Sequence, residues 1–238
     1  MTNGFAVKAE PFVLAFWKGC VCVDFEYLLK LLLILLEGMG TSLKVFALTL
    51  IFSIPLGMIV AVGKMSRHVI INFPIRVYIS IMRGTPLILQ LIFIYFGPYY
   101  IFNVTYDRFT AAIIAFSINY AAYFAEIFRG GMQSMPLGQY EAAQVLGYTK
   151  SQTFFRIILP QVVKRVIPAS ANEVITLIKD TALAQTIGVI ELFSLAQKQS
   201  SFIFSVMPLF VAGVFYYILN LVVSGAFSFI EKKLNYYR

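Results

Sequence analysis

The chain has 238 residues, 60% of them hydrophobic, with 19 Lys and Arg against 11 Asp and Glu and a formal charge of +8. A mean hydropathy of +0.82 is more apolar than a water-soluble core of this length needs, so a bilayer must solvate much of the chain. The basic residues are scattered through short segments between apolar runs, which argues against a nucleic-acid surface and fits a positive-inside pattern.

In chain order, the N-terminus has one early Lys and no clear small-residue cleavage site, so no cleavable signal is expected. Residues 12–23 read as lying near the membrane surface. Cys20 and Cys22 are the only cysteines and stand two apart, which supports neither a disulfide framework nor a Cys-based metal site. The apolar run 27–36 is too short to span and is closed by Glu37-Gly38, which predicts an interfacial helix. Residues 1–40 are thus expected to be an extension plus that helix, and 41–238 the membrane domain. Five segments, 41–62, 75–95, 109–128, 166–190 and 204–229, approach the roughly 20 helical residues that cross about 30 Å of hydrocarbon. The expected fold is an all-α membrane protein with five transmembrane helices. His68, the single histidine, sits beside Arg67 in a short loop and reads as solvated.

The loops after the first and third spans and the C-terminal tail, together with Arg76 at the start of the second span, hold 11 of the 19 basic residues, whereas the other two loops hold only Arg108 and Lys198. The N-terminus is therefore expected outside and the C-terminus in the cytoplasm. On the cytoplasmic side falls a hydrophilic, helix-forming stretch, 139–161, all but its last residue in the loop 132–160. Pro136 precedes its first helix, and Gly147 is placed to end that helix in a left-handed conformation. Thr149 with Gln152 fits a capping box starting a second short helix, which Pro160 is expected to limit.

Three features are costly in lipid. Arg83-Gly84-Thr85-Pro86 should break or kink the second span. The helix restarting at Pro86 would offer free N–H groups and a partial positive charge to a carboxylate such as that of an amino acid. The alternative is a packing kink with Arg83 reaching to the cytoplasmic interface. Lys179-Asp180-Thr181 places opposite charges next to each other, where they do not face one another on a helix. The segment should then line a cavity or subunit interface, or else form a structural ion pair within the bundle. Asn119 and Glu126, seven residues apart, share one face of the third span. Glu126 reads as a structural salt bridge, with Arg83 as a candidate partner, and Asn119 as lining the path.

The spacing Glu141-Ala142-Ala143, then Gly147, then Ile157-x-Leu159-Pro160 resembles the signature loop of permease subunits of bacterial ABC importers. With Arg83-Gly84-Thr85-Pro86 and Gln90, the run 120–131, and Lys179-Asp180-Thr181-Ala182 in the same order, the chain from about Tyr27 onward resembles the histidine/glutamine-type permeases of binding-protein-dependent importers. Ala182 stands where that family often has Ser, and the first 25 residues have no clear counterpart.

The resemblance implies a type I ABC importer permease fold in a bacterial inner membrane. It implies a second permease subunit (another copy or a related chain), two ATPase subunits, an extracytoplasmic solute-binding protein, and alternating access driven by ATP. Glu141, Ala142, Ala143 and Gly147 would form the coupling helix, with small side chains that let a groove approach closely. Arg83, Gly84, Thr85, Pro86, Asn119, Lys179, Asp180 and Thr181 would lie along the substrate path. ATP and magnesium belong to the partner: the nearest phosphate-loop-like string, from Gly57 to Gly63-Lys64, has one residue too many and ends in Met65. No cofactor, metal or catalytic residue is expected in this chain. The competing reading is a self-sufficient secondary carrier or channel, which broken helices and midplane charges would also serve.

Overall fold

A computed structural model describes residues 25–234, in which helices and short turns are the only elements. The expected surface stretch 12–23, both cysteines and Arg238 lie outside the described residues. We number the helices α1 Phe25–Lys64, α2 Val69–Gly84, α3 Leu87–Phe102, α4 Arg108–Gln133, α5 Leu137–Val145, α6 Leu159–Asp180, α7 Leu192–Ile203 and α8 Met207–Leu234.

The expected interfacial helix is not a separate element. α1 runs unbroken for 40 residues, about 60 Å at 1.5 Å per residue, so it is much longer than the hydrocarbon is thick. Glu37-Gly38 does not close it, because Gly38 answers a packing demand. A Cβ at Gly38 would stand 2.8 Å from Leu195 Cδ1 and 2.9 Å from Leu192 Cα, so the missing side chain lets α7 cross α1 closely. Leu31 and Leu35, one turn apart on the same stripe, are buried with Leu192, Ala196 and Ala212 of α7 and α8.

α4 is the centre of the bundle. Asp107 caps it, accepting from the N–H groups of Phe109 and Thr110 at 3.1 and 3.3 Å. Its buried face is rich in alanine (111, 112, 115, 121, 122 and 125). Gly57 of α1 brings the two backbones together: a Cβ there would lie 2.8 Å from Phe124 Cβ and 3.0 Å from the Ala121 carbonyl. Small residues at close crossings are how helices gain van der Waals contact where lipid supplies no hydrophobic drive.

Among the described residues, α1, α4 and α8 are each long and apolar enough to cross a membrane, and α2 with α3 forms a broken pair bent by 112°. The break expected in the second span is thus present. The segment 166–190, expected as one span, is divided. α6 ends at Asp180, a 3-10 turn covers Thr181–Ile187, and Gly188 takes φ 81° before α7 begins. Pro160 does not stop a helix either. The chain passes from the turn Lys150–Gln152 through the π-helical Thr153–Ile158 straight into α6, with the Leu159 N–H donating to Phe154 five residues back. The wider π turn and the position of Pro160 at the start of α6 remove the clash a proline makes in a regular helix.

Candidate functional site

α2 ends with Thr85 in an extended conformation, and Pro86, also extended, opens α3. Residues 83–86 are exposed, and a Cβ on Gly84 would meet no atom within 4 Å, so the outer side of the break is open. Its inner side is closed by two amides. Gln90 donates through Nε2 to the Met82 carbonyl at 3.0 Å, the Thr85 carbonyl at 3.2 Å and the Thr85 hydroxyl at 2.8 Å. Asn119 of α4 donates to the same Met82 carbonyl at 3.1 Å and to Gln90 Oε1 at 2.8 Å. Asn119 is 4% exposed and Gln90 7%. Asn119, expected to line the path, is therefore turned to the back of the break. The helix end leaves carbonyls without intrahelical donors, and these two side chains bond those of Met82 and Thr85.

Arg83 and Asp180 are brought to one region by two tyrosines of α4. The Arg83 guanidinium carbon lies 5.4 Å from the centre of the Tyr123 ring. The rings of Tyr123 and Tyr120 are 6.1 Å apart, and the Tyr120 hydroxyl donates to Asp180 Oδ2 at 2.7 Å. A cation and a carboxylate are thus held on either side of an aromatic pair. Arg83 also stands 4.0 Å from Glu126, whose carboxylate takes Arg129 at 2.8 Å and Lys64 of α1. Glu126 is the expected salt bridge, shared among three cations.

The neighbours of Asp180 face elsewhere. Lys179 is exposed on another side of α6, since adjacent helical residues diverge. Thr181 is buried, and its hydroxyl donates to the Ile178 carbonyl at 2.7 Å, helping to end α6.

A further carboxylate escaped sequence reasoning. Glu191 is fully buried and caps α7, accepting from the N–H groups of Phe193 at 2.9 Å and Ser194 at 2.6 Å. It also accepts from the hydroxyls of Ser42 at 3.2 Å and Tyr216 at 3.1 Å, so one side chain ties α1, α7 and α8. An acidic residue directly before the apolar start of α7 was the available signal, hidden by reading residue 190 as the end of a span.

The polar elbow is built by local rules. Pro136 opens α5, and Gly147 at φ 75° closes it. The Tyr148 N–H donates to Ala143 and the Gly147 N–H to Gln144, both at 3.0 Å, the bond pair of a Schellman motif. The capping box is complete: Gln152 N–H donates to Thr149 Oγ1 at 3.3 Å, and Thr149 N–H to Gln152 Oε1 at 2.9 Å. Arg165 of α6 donates to the Ser134 hydroxyl at 3.0 Å and Gln161 to Gln139 at 3.3 Å, holding the elbow to α6. Glu141, Ala142 and Gly147 are exposed, but Ala143 is fully buried on the inner side of α5. Leu137, Val145 and Leu146 are also exposed, so an apolar surface flanks the small residues. No group of His, Cys, Asp and Glu able to hold a metal occurs among the described residues.

Residues 53–236 match the family described as the inner membrane component of binding-protein-dependent transport systems. The chain belongs to that family. Among the relatives of this transport component, the L-cystine transport system permease protein TcyB of Bacillus subtilis is 40% identical over 206 residues, covering 86% of this chain and 88% of the relative. The arginine transport system permease protein ArtQ of the same organism is 34% identical over 213 residues, covering 89% and 97%. A crystal structure of an amino acid ABC transporter with histidines superposes with a TM-score of 0.82 at 33% identity, covering 90% of this chain and all of that one. The fold is accordingly that of a type I ABC importer permease, and the component is a membrane protein whose relatives are permease subunits of amino-acid importers.

Proposed function

We propose that this permease carries an amino acid across the bacterial inner membrane, delivered by an extracytoplasmic solute-binding protein and driven by ATP that separate ATPase subunits bind and hydrolyse. Two permease subunits enclose the path, as two copies of this chain or one copy with a related chain. The observation that carries the reading is α5. A membrane-embedded bundle extends a short helix whose Schellman closure at Gly147 and anchoring to α6 make it a rigid lever. Its exposed Glu141 and Ala142 are available to a basic or closely approaching partner surface. Ala143 supports the helix from behind.

The basic loops and tail support a reading with α5 and the C-terminus in the cytoplasm and the N-terminus outside. Within the membrane, the open side of the break (Arg83, Gly84, Thr85 and Pro86) and Asp180 form the path. Arg83 and the N-terminal end of α3 favour the substrate carboxylate, and Asp180 its ammonium group. Asn119 and Thr181 support the path from the buried side, and Lys179 faces outward toward the second subunit, because an ammonium facing lipid is costly.

Reconstitution separates this from a self-sufficient carrier. In liposomes the permease alone moves no amino acid, and uptake begins when the ATPase, the binding protein and ATP are all present. Exchange by the permease alone would overturn the proposal in favour of the carrier.

A further inference from the structure

The break between α2 and α3 is open toward the path on one side and sealed by buried amides on the other, and the sealing side has its own logic. A helix that stops at Thr85 leaves its last carbonyls without intrahelical donors. On the side of the break where Gln90 and Asn119 are buried, an unpaired carbonyl is costly. The Met82 carbonyl receives two donors, Gln90 Nε2 at 3.0 Å and Asn119 Nδ2 at 3.1 Å. Gln90 belongs to the first full turn of α3, so its bonds to Met82 and Thr85 run backward across the break and join its two arms. Asn119 belongs to α4, and its bond to Gln90 Oε1 at 2.8 Å fixes the joint against the most buried helix of the bundle. Tyr78 adds a second tie between α2 and α4, donating to the Ile118 carbonyl one residue before Asn119.

We infer that Gln90 and Asn119 are positioning residues: a buried two-amide clamp holds the 112° bend, and thereby holds Arg83 and the start of α3 in register with Asp180. Neither side chain need touch the substrate. Both act through the backbone they fix. The geometry explains why amides occupy these positions. Each must donate to carbonyls, and Gln90 must at the same time accept from Asn119, which only a side chain carrying both a donor and an acceptor does. A carboxylate at 90 would keep the acceptor and lose the donors. An aliphatic residue would lose both.

This inference rests on the break being part of the path, so its test has a readout that is independent of transport. Spin labels at Phe73→Cys on α2 and Phe102→Cys on α3, both exposed positions, report the angle between the arms in the assembled transporter, with Cys20 and Cys22 replaced by Ser. The native clamp gives one narrow distance distribution. With Gln90→Met and Asn119→Leu together, we expect that distribution to broaden and uptake to fall about tenfold or more, as small misplacements of positioned groups do. The ATPase should still copurify at the native ratio. Gln90→Glu separates the donor from the acceptor and is expected to lose uptake like Gln90→Met. If the double variant does not assemble, Thr85→Val, at an exposed position, removes the hydroxyl that accepts from Gln90 at 2.8 Å and should broaden the distribution by itself. An unchanged distribution in these variants, native uptake by Gln90→Glu, or a broadened distribution with native uptake would each overturn the clamp. A failure of the amino-acid reading would show differently, as absent uptake by the native transporter with the narrow distribution intact.

Discussion

The hydroxyl of Tyr120 donates to Asp180 at 2.7 Å, and this one bond joins the middle of α4 to the last residue of α6. Tyr120 is also the ring next to Tyr123, over which Arg83 is seated, so both charges proposed for the path are organised from the same helix. Tyr120→Phe keeps the ring and its packing and removes only the donor. Uptake should fall several-fold while assembly with the ATPase is retained. Asp180→Asn should impair uptake more than it impairs assembly, because the neutral amide still fills the space and loses the charge. Transport assays alongside copurification check both, and native uptake by Asp180→Asn would remove Asp180 from the path.

Gly147 sits at φ 75°, where an L-residue with a branched Cβ is strained by about 1–2 kcal/mol. A Cβ added there would meet no atom within 4 Å, so backbone strain rather than a Cβ clash sets the cost to the fold. Gly147→Val should leave the protein inserted and folded, yet uncouple ATP hydrolysis from uptake by tilting or fraying α5. The check is the ratio of ATP hydrolysed to amino acid moved. A native ratio would contradict a docking role for the elbow.

Gly38 makes the opposite prediction. It lies in the middle of a helix, with Leu192 backbone and Leu195 side-chain atoms where a Cβ would go. Gly38→Leu must force α1 and α7 apart, at a cost of about 1–3 kcal/mol typical of overpacking. The measurement is thermal stability of the detergent-purified protein, and Gly40→Leu, where the space is open, serves as the control that should change little.

These two glycines also mark what was legible in the sequence. Gly147, Thr149 and Gln152 act within a few residues of themselves, so helix-end chemistry revealed them before any fold was known. The break at Thr85-Pro86 was legible for the same reason. Gly38 misled because a glycine that ends a helix and one that admits a neighbouring helix look alike in one dimension. Pro160 misled because its clash is relieved by a π turn that no local rule demands. Asn119 could be assigned to a face, but not to a use, since its partners Met82 and Gln90 lie 37 and 29 residues away. Glu191 and Ser42, 149 residues apart, carry no joint signal in a single chain.

Glu191 gives a prediction about stability alone. Glu191→Ala would strand the N–H groups of Phe193 and Ser194 and the Tyr216 hydroxyl in the interior, where each loss costs about 1–3 kcal/mol. Glu191→Gln keeps one acceptor oxygen and should recover part of that loss. Denaturation of the two variants in the same detergent checks the order, with Ala the less stable.

In the proposed function, α5 receives force from another polypeptide at the cytoplasmic face. A single cysteine in place of Ala142, in a background with Cys20 and Cys22 replaced by Ser, tests it by oxidant-driven disulfide cross-linking to cysteines introduced on the surface of the ATPase subunits in the same membranes. The expected result is a cross-link to the ATPase whose yield changes when ATP is bound and hydrolysed, with no labelling of that cysteine by an impermeant reagent added from outside. A cysteine reached only from outside, or one that never joins the ATPase in any nucleotide state, would contradict it.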